Sequence, residues 1–375
     1  MNYFQNKPKA ILVLENGMCF TGSAAGTPGL SCGELIFNSS MTGYQEILSD
    51  PSYAGQLITF TSPHIGNVGV NNQDNESSRI WAAGFIVREF STFYSNCRAE
   101  ESLASYIKRN NIVGICNIDT RHLVRVIRSY GCMRACIMSH TVDYKKALNL
   151  AQENNHKENL HFLQQVTSHP DYESKIKEFY SYHLVVYDFG IKRNILRILE
   201  EYKCKISLVK RDTSAEEVLK YKPDGIILSN GPGDPVNCTT AIKAVQDFLS
   251  LNIPLLGICL GHQILALACK AKTYKMKFGH HGVNHPIFNL ETKKVFITSQ
   301  NHNFSVALDT LPPELIVTHL SLFDNSLQGI KHTFKPALGF QGHPEAHPGP
   351  DEMKSLFRDF FECIETAKQK NIFLQ

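Results

Sequence analysis

The sequence predicts an α/β protein in which a strand-rich α+β domain precedes a mostly parallel-sheet α/β domain with a nucleophile elbow. First, its 375 residues exceed the roughly 100 to 200 of a typical single domain. Second, strand patterns dominate the early residues, whereas short apolar runs alternate with helical patterns later in the chain. Third, a polar stretch separates the strand-rich part of the chain from the part in which strands and helices alternate. We therefore expect an N-terminal domain at 1–142, a polar connector at 143–182 and the second domain at 183–375.

The N-terminal domain combines strand patterns with two amphipathic helix patterns. The segment AILVLENGMCFTGSA predicts a hairpin that turns at residues 15–17, and further strands are predicted at QLITFTSPHIGNVG and AAGFIVREF. Apolar residues at helical spacing predict helices in SLASYIKRNNI and DTRHLVRVIRSYG. The second of these helices should begin after Asp119, as its N-cap, and end at Gly131.

The second domain alternates short β-branched runs with amphipathic helices, as in HLVVYDFG followed by IKRNILRILEEYK. This alternation is typical of a parallel sheet covered by helices on both faces. The first strand is followed by Gly190 alone instead of a GxGxxG motif, and no GxxxxGK[ST] motif occurs in the chain. We therefore expect neither of these familiar nucleotide-binding sites.

Composition excludes several classes of function. A formal net charge of +3 is too small to indicate a nucleic-acid partner. No apolar run approaches the roughly 18 residues of a membrane span, and the first residues lack the apolar segment of a signal peptide. The 11 cysteines are scattered and include no CxxC pair, which argues against a disulfide framework or a zinc ribbon. We expect a cytoplasmic protein with mostly reduced, structural thiols.

A cysteine lies between two glycines in GICLGHQ, residues 257–263, where an apolar run gives way to a helical pattern. In such a GxCxG turn, the glycines allow backbone segments to approach closely, and the nucleophile is held at the carboxyl edge of the sheet. Helix N-termini favour thiolate over thiol, and thiolate is the nucleophilic form. The motif predicts that Cys259 is a nucleophile, and the alternative is a buried cysteine that acts as a small hydrophobe.

Two further motifs could complete a thiol hydrolase. In ALGFQGHPEAHPGP, an apolar strand runs into His343, and Glu345 lies two positions later, where an extended backbone directs both side chains to one side. His343 could serve as the base and Glu345 could orient it, although alone the motif is also typical of a plain loop. In LSNGPGDP, a Gly231 or Gly233 N–H could hold an oxyanion together with the Leu260 N–H.

Together these motifs resemble the triad-type glutamine amidotransferase family. Within it, the chain resembles the small (glutaminase) chains of carbamoyl-phosphate synthase over nearly its whole length. The segments that carry this resemblance are FNSSMTGYQEILSDPSYAGQ, PHIGNVGVN, YDFGIKRNILRIL, MKFGHHGVNHP and QGHPEAHPGP. The segment FNSSMTGYQEILSDPSYAGQ is the most specific part of this resemblance, because amidotransferase domains that serve other synthases do not carry SMTGYQEIL ahead of them.

The resemblance implies a reaction and a partner. Cys259 would attack the side-chain amide of L-glutamine, His343 would protonate the departing ammonia, and water would hydrolyse the glutamyl thioester. The ammonia would pass through an internal tunnel to a large synthetase chain, which makes carbamoyl phosphate from ATP and bicarbonate for pyrimidine and arginine synthesis. We thus expect a heterodimer with that chain or a higher oligomer of it, with ATP and magnesium on the large chain and no cofactor on this one.

The resemblance also implies contacts with glutamine from Ser40, Gln263, Asn301 and Phe304. Where the family usually has glycine, this chain has Asn303. Asparagine tolerates a left-handed backbone, so we expect the fold to be preserved, whereas a contact from the N–H of residue 303 is placed in doubt.

Two other functions stay open at this stage. The chain could be an amidotransferase that serves another synthase, such as the anthranilate type, which the first 140 residues disfavour. It could also be a non-catalytic scaffold that binds glutamine or stabilises the large chain, which the presence of all three catalytic side chains disfavours. His280, His281 and His285 in FGHHGVNHP have no companion cysteine or carboxylate at ligand spacing, so we expect a structural role and no metal.

Overall fold

The structure is a computed structural model that describes residues 7–153, 166, 172, 174–176 and 178–372. It divides into two compact units, at residues 1–162 and 163–375. No helix in the described ranges is long and apolar enough to cross a membrane. Within the predicted connector, 143–182, the residues 154–165, 167–171, 173 and 177 lie outside the described residues.

The first unit is built on a closed barrel with the strand order β1-β2-β8-β6-β4-β3-β9. A short separate pair is formed by β5 and β7. The strands are β1 Lys9–Leu14, β2 Cys19–Gly26, β3 Gly29–Asn38, β4 Gln56–Phe60, β5 His64–Ile65, β6 Gly84–Ile86, β7 Glu89–Phe90, β8 Val113–Cys116 and β9 Met133–Ser139. The helices are α1 Tyr44–Ser49, α2 Leu103–Arg109, α3 Thr120–Tyr130 and α4 Tyr144–Gln152.

Local predictions for this unit are confirmed. The β1–β2 hairpin turns where Gly17 adopts a φ of 87°, a conformation that glycine accepts without steric cost. Helix α3 begins after Asp119, whose carboxylate accepts the His122 N–H at 2.9 Å, and it ends at Gly131 with a φ of 95°. Closure of the strands into a barrel was not predicted, because it depends on pairings such as β3 with β9 that lie far apart in sequence.

The first residues assigned to the connector belong instead to the barrel unit. Residues 144–152 form helix α4, which begins after Asp143, whose carboxylate accepts the Lys146 N–H at 3.0 Å. Its apolar side packs on β1 and β9 through Ala147 and Ala151, both of which are fully buried. Two small buried residues at a spacing of four are a weak helix pattern within a polar sequence, which explains why the prediction missed them.

The second unit contains one nine-stranded sheet with the order β11-β10-β12-β13-β18-β17-β16-β14-β15. The strands from β11 to β18 in this order pair in parallel, and β17, β16, β14 and β15 extend the sheet with antiparallel pairing. The strands are β10 Tyr182–Asp188, β11 Cys204–Lys210, β12 Gly225–Leu228, β13 Leu255–Ile258, β14 Thr273–Asn289, β15 Val295–Val306, β16 Leu315–Ser321, β17 Leu327–His332 and β18 Ala337–Phe340. The helices are α5 Arg193–Glu201, α6 Ala215–Leu219, α7 Thr239–Ser250, α8 Leu260–Ala268 and α9 Ser355–Ile372.

Helices cover both faces of the parallel strands, as predicted. Alternate residues of β10 enter two different cores: Val185 and Tyr187 pack with α7 and α8, whereas Leu184 and Val186 pack with α5 and α9. All four side chains are fully buried. Burial on both faces explains the continuous apolar runs of these strands. Because the faces are covered, a functional site is expected at the carboxyl ends of the strands, where the connecting loops lie close together.

Replacing Asp119 with alanine tests the predicted helix cap. We expect Asp119→Ala to lower the free energy of unfolding of the first unit by about 1 kcal/mol, because the His122 N–H loses its acceptor. Urea unfolding followed by the fluorescence of Trp81, the one tryptophan of the chain and a residue of this unit, measures the change. Arg121→Ala, at an exposed position of the same helix, is the matched control and should shift stability by less than about 0.5 kcal/mol.

Candidate active site

Cys259 lies between β13 and α8 in a conformation that L-amino acids rarely adopt. Its φ is 53° and its ψ is −102°. The turn is held from an adjacent strand, because the Cys259 N–H donates to the carbonyl of Phe340 in β18 at 2.8 Å. The side chain is buried, with 3% of the residue exposed, at the carboxyl edge of the sheet and the N-terminus of a helix. This geometry is that of a nucleophile elbow.

The two glycines of the elbow permit contacts that no side chain would allow. A Cβ at Gly261 would lie 2.1 Å from the carbonyl oxygen of Leu228, and a Cβ at Gly257 would lie 2.5 Å from the carbonyl oxygen of Gly261. The Gly261 N–H also donates to the carbonyl of Ser229 at 3.1 Å. The predicted close backbone approach is confirmed, and it places the loop after β12 directly beside the elbow.

His343 and Glu345 follow β18, the strand next to the elbow. The imidazole Nδ1 of His343 lies 2.6 Å from Glu345 Oε1, and both side chains are almost completely buried. The backbone N–H of His343 donates to Ser299 in β15 at 2.9 Å, which fixes the loop. The other ring nitrogen, Nε2, is buried without a hydrogen-bond partner among the described residues, and the nearby Cys259 thiol helps to raise the pKa of the imidazole. The structure therefore brings all three predicted catalytic side chains together.

A lysine that the sequence analysis missed completes this buried group of charges. Lys192 Nζ lies 3.0 Å from Glu345 Oε1, although Lys192 is only 2% exposed. Its ammonium also donates to the carbonyl of Ala346, and Asn194 donates its side-chain amide to the carbonyl of Glu345 at 2.5 Å. Both residues lie in IKRN after β10, so the carboxyl ends of two parallel strands supply the site. The sequence signal that could have indicated this role is the position of Lys192 shortly after the apolar strand β10.

Charge pairing determines the protonation of the group. Burial opposes ionisation of Glu345, but the charges of Lys192 and His343 outweigh it and lower the pKa of Glu345 to about 2. Burial likewise opposes the charged form of His343, whereas the Glu345 carboxylate and the Cys259 thiol raise the pKa of His343 to about 10. At neutral pH the imidazole is therefore protonated and can donate a proton to a leaving group.

One backbone carbonyl and one amide side chain contact the sulfur of Cys259. The carbonyl oxygen of Asn301 lies 3.5 Å from Cys259 Sγ, and Gln341 Nε2 lies 3.8 Å from it. Gln263, in the first turn of α8, donates its amide to Gln341 Oε1 at 3.0 Å and to the carbonyl of Phe304 at 2.7 Å. Three of the predicted glutamine contacts thus lie around the nucleophile in one hydrogen-bonded group.

Asn303 does not need a left-handed backbone, because it lies inside the extended strand β15. Its Oδ1 is 2.9 Å from His281 Nε2, and His281 Nδ1 is 2.9 Å from Asn301 Oδ1. His281 therefore bridges the two asparagines. Gly279 makes room for the bridge, since a Cβ there would lie 2.5 Å from Asn303 Oδ1. The fold is preserved at residue 303, as expected, and the Asn303 side chain adds an interaction that was not predicted.

The predicted oxyanion donors lie on two adjoining segments. Leu260 is the first residue of α8, where backbone N–H groups have no acceptor within the helix. Gly233 adopts a φ of 95°, and a Cβ at Gly231 would lie 2.3 Å from the carbonyl oxygen of Phe189. The loop after β12 therefore requires glycine at both positions and lies next to the N-terminus of α8.

Ser40 belongs to the first unit, near the end of β3. It is 1% exposed, and its backbone N–H donates to Asn38 Oδ1 at 2.8 Å. Of the histidines in FGHHGVNHP, His280 Nε2 lies 3.1 Å from Asp324 Oδ2, and the His285 ring packs against His280 in a tilted arrangement with ring centroids 5.1 Å apart. Across the described ranges, no group of three or more His, Cys, Asp or Glu side chains is arranged to hold a metal ion.

A thiol at a strained elbow, a protonated histidine and a buried carboxylate define a cysteine-dependent amide hydrolase. Comparisons with known proteins give the same class and refine it. Residues 185–363 match the family described as glutamine amidotransferase class-I, and residues 12–137 match the CPSase domain of the carbamoyl-phosphate synthase small chain. The two matches fall in the second and the first unit, respectively.

Curated relatives extend the match over nearly the whole chain. The carbamoyl phosphate synthase small chain of Photorhabdus laumondii is 52% identical, with 96% of this chain and 97% of that protein covered. The small chain of Escherichia coli K12 is 51% identical, with 96% and 98% covered. A solved glutamine amidotransferase from Thermotoga maritima is 19% identical, with a TM-score of 0.36, over 51% of this chain and 92% of its own. On the evidence of the curated relatives, the chain belongs to the carbamoyl phosphate synthase small chain family.

Replacing Glu345 tests the buried charges through the pH dependence of stability. The stabilisation linked to its lowered pKa is present above about pH 4.3 and is lost as pH falls through about 2. The stabilisation linked to the raised pKa of His343 is present below about pH 6.5 and is lost as pH rises through about 10. We expect Glu345→Gln to cost roughly 3 kcal/mol between about pH 4.5 and 6.5, and less on either side.

Urea unfolding followed by far-ultraviolet circular dichroism measures this cost at each pH. The fluorescence of Trp81 reports the first unit separately and should not change. Glu362→Gln, at an exposed carboxylate of the same unit, is the control and should change stability little at any pH. A cost for Glu345→Gln that does not vary with pH would contradict the ionic pairing.

Proposed function

We propose that this chain is the glutaminase subunit of a carbamoyl phosphate synthase. It hydrolyses L-glutamine and delivers ammonia to a large synthetase chain, which carries the ATP, magnesium and bicarbonate chemistry. The observation that carries the proposal is the approach of Cys259, at the elbow, to His343, whose raised pKa depends on buried Glu345. Family membership supports the same activity.

The first half-reaction forms a thioester. The Cys259 thiolate attacks the carbonyl carbon of the glutamine side chain, and the negative charge moves to the carbonyl oxygen. The Leu260 N–H and an N–H of Gly231 or Gly233 hold that oxygen. His343 then donates its proton to the nitrogen as the C–N bond breaks, so ammonia leaves and a glutamyl thioester stays on Cys259.

The second half-reaction restores the thiolate. His343, now neutral, takes a proton from water, and the hydroxyl attacks the thioester carbonyl. Glutamate leaves as the C–S bond breaks. Glu345 keeps the imidazole in place through the 2.6 Å contact with Nδ1, and Lys192 keeps Glu345 ionised. Glu345 and Lys192 therefore act through His343 and do not react with the substrate themselves.

Recognition of glutamine in this proposal involves Gln263, Asn301 and Phe304, which lie around the sulfur and offer amide and carbonyl groups to a zwitterion. The contact from Ser40 stays a prediction from the family resemblance. An amidotransferase of another synthase is disfavoured, because the first unit matches the small-chain CPSase domain.

Replacing the nucleophile tests the activity and the partnership. We expect Cys259→Ser to lower glutamate release from L-glutamine on the order of 10⁴-fold, because a serine hydroxyl is a much weaker acid and a poorer nucleophile than a thiol. Glutamate is measured with and without the cognate large chain, which should accelerate wild-type turnover. Cys269→Ser, which replaces the buried cysteine at the other end of α8, is the matched control and should retain activity.

A second readout separates chemistry from assembly. With ammonium chloride in place of glutamine, the complex that contains Cys259→Ser should still make carbamoyl phosphate. Glutamate release that is unaffected by the substitution would show that the elbow is not catalytic. Release that is equal with and without the large chain would refute the partnership alone.

Asn303→Gly tests the bridge through His281. We expect roughly a fivefold lower kcat/KM for glutamine, because one hydrogen bond of about 1 kcal/mol no longer positions Asn301. Asn303→Asp keeps an acceptor oxygen for His281 and should retain more activity than the glycine variant. Equal kcat/KM values for wild type and Asn303→Gly would show that the bridge has no role in turnover.

A further inference from the structure

Two cysteines of the first unit lie directly opposite each other on neighbouring strands. Cys32 in β3 and Cys136 in β9 are partners in the antiparallel register. Opposite residues in such a ladder have Cα atoms about 4.5 or 5.5 Å apart. A disulfide spans Cα distances of about 4.4 to 6.8 Å. The strand pairing therefore holds the two backbones at a spacing that a disulfide can bridge.

The two side chains also project on the same face of the barrel, because residues directly opposite each other in a ladder do so. Cys32 raises the pKa of the Cys136 thiol, which agrees with this placement. That face is covered by α4, where both cysteines contact an apolar cluster that includes Ala147 and Ala151. Among the strand registers of the described residues, this is the one position where cysteine faces cysteine.

The pair is asymmetric in a way that suits stepwise oxidation. Cys136 is fully buried, whereas Cys32 is partly exposed. The neighbouring Cys32 side chain and burial together raise the pKa of Cys136, against the opposing charge of Lys146 on α4. Cys136 therefore keeps its proton, and its thiol donates to the carbonyl of Ile137 at 3.8 Å. Cys32 is the sulfur that a reagent from solvent meets first.

We propose that Cys32 and Cys136 form an oxidation site, at which a peroxide converts the dithiol to a reversible intrachain disulfide. In the first step, the Cys32 sulfur attacks one oxygen of hydrogen peroxide, the O–O bond breaks, and Cys32 sulfenic acid and one water form. In the second step, the Cys136 sulfur attacks the Cys32 sulfur, the S–O bond breaks, and a second water leaves with the Cys136 proton. The two sulfurs are oxidised and the peroxide is reduced.

The bond would tie β3 to β9 beneath α4. It would close a loop of about 100 residues, and long loops gain the most from cross-linking because the unfolded chain loses the most freedom. The site is chemically separate from glutamine hydrolysis, since it uses neither Cys259 nor His343. A thiol or thioredoxin-type reductant would restore the two cysteines by disulfide exchange.

The full-length chain in native buffer tests the site. After reduction and removal of the reductant, the folded protein is treated with hydrogen peroxide, its remaining thiols are alkylated in denaturant, and chymotryptic peptides are analysed by mass spectrometry. We expect a peptide that joins Cys32 to Cys136, and its loss after treatment with dithiothreitol. Unfolding followed by Trp81 fluorescence should show a folding equilibrium constant larger by a factor on the order of 100 for the oxidised protein.

Variants establish the order of the steps. In Cys136→Ala, dimedone should trap sulfenic acid at Cys32, whereas Cys32→Ser should leave Cys136 alkylatable after peroxide treatment. Cys19→Ser replaces an exposed cysteine on β2 and should form the same linked peptide as wild type. The wild-type peptide map decides the outcome even if a variant fails to fold.

Two results would overturn the proposal. In one, peroxide oxidises the exposed thiols of Cys19 and Cys97 while Cys32 and Cys136 both stay alkylatable. In the other, the linked peptide appears only when the protein is oxidised in urea. Either result would show that the two thiols serve only as small apolar side chains under α4.

Discussion

The second unit depends on the backbone conformation at Cys259, which no local preference supports. A positive φ on a residue with a side chain costs roughly 1 to 3 kcal/mol and persists only where the surroundings impose it. The contacts that impose this φ on Cys259 are backbone hydrogen bonds from Cys259 to Phe340 and from Gly261 to Ser229. They join the ends of β18 and β12 to the turn after β13. The three loops that carry the nucleophile, the histidine and the oxyanion donors are thereby fixed relative to one another.

A second constraint follows from burying ionised groups. Removing charge from water is costly unless partners replace the lost solvation. Glu345 is fully buried, and the partners that keep it ionised are His343 on its own loop and Lys192, which is contributed by the end of β10. The sheet therefore has to bring together strand ends that are about 150 positions apart in sequence. The hydrogen bond from the Asn194 side chain to the Glu345 carbonyl is one example. Formation of the site and completion of the parallel sheet are one event.

Local chemistry explains which features could be predicted from the sequence. The cap at Asp119 and the glycines around Cys259 follow from rules that act within a few residues, and the structure confirms both. The alternation of strands and helices gave the class of the second unit in the same way. Closure of the barrel and the role of Lys192 depend on which distant strands become neighbours, which no window of sequence contains. The side-chain interaction of Asn303 could not be predicted for a related reason, because its partner His281 lies across a bulged strand pair.

The buried charges of the site have a bearing on how it can work without bulk water. Lys192 and protonated His343 contribute two positive charges, and Glu345 contributes one negative charge. In the proposed mechanism Cys259 attacks as the thiolate, which brings the sum to zero. Thioester formation consumes the thiolate, and the proton that leaves with ammonia neutralises the imidazolium, so the sum is again zero. Because electroneutrality is conserved through acylation, the interior never has to accommodate an added net charge, whose transfer from water would cost several kcal/mol.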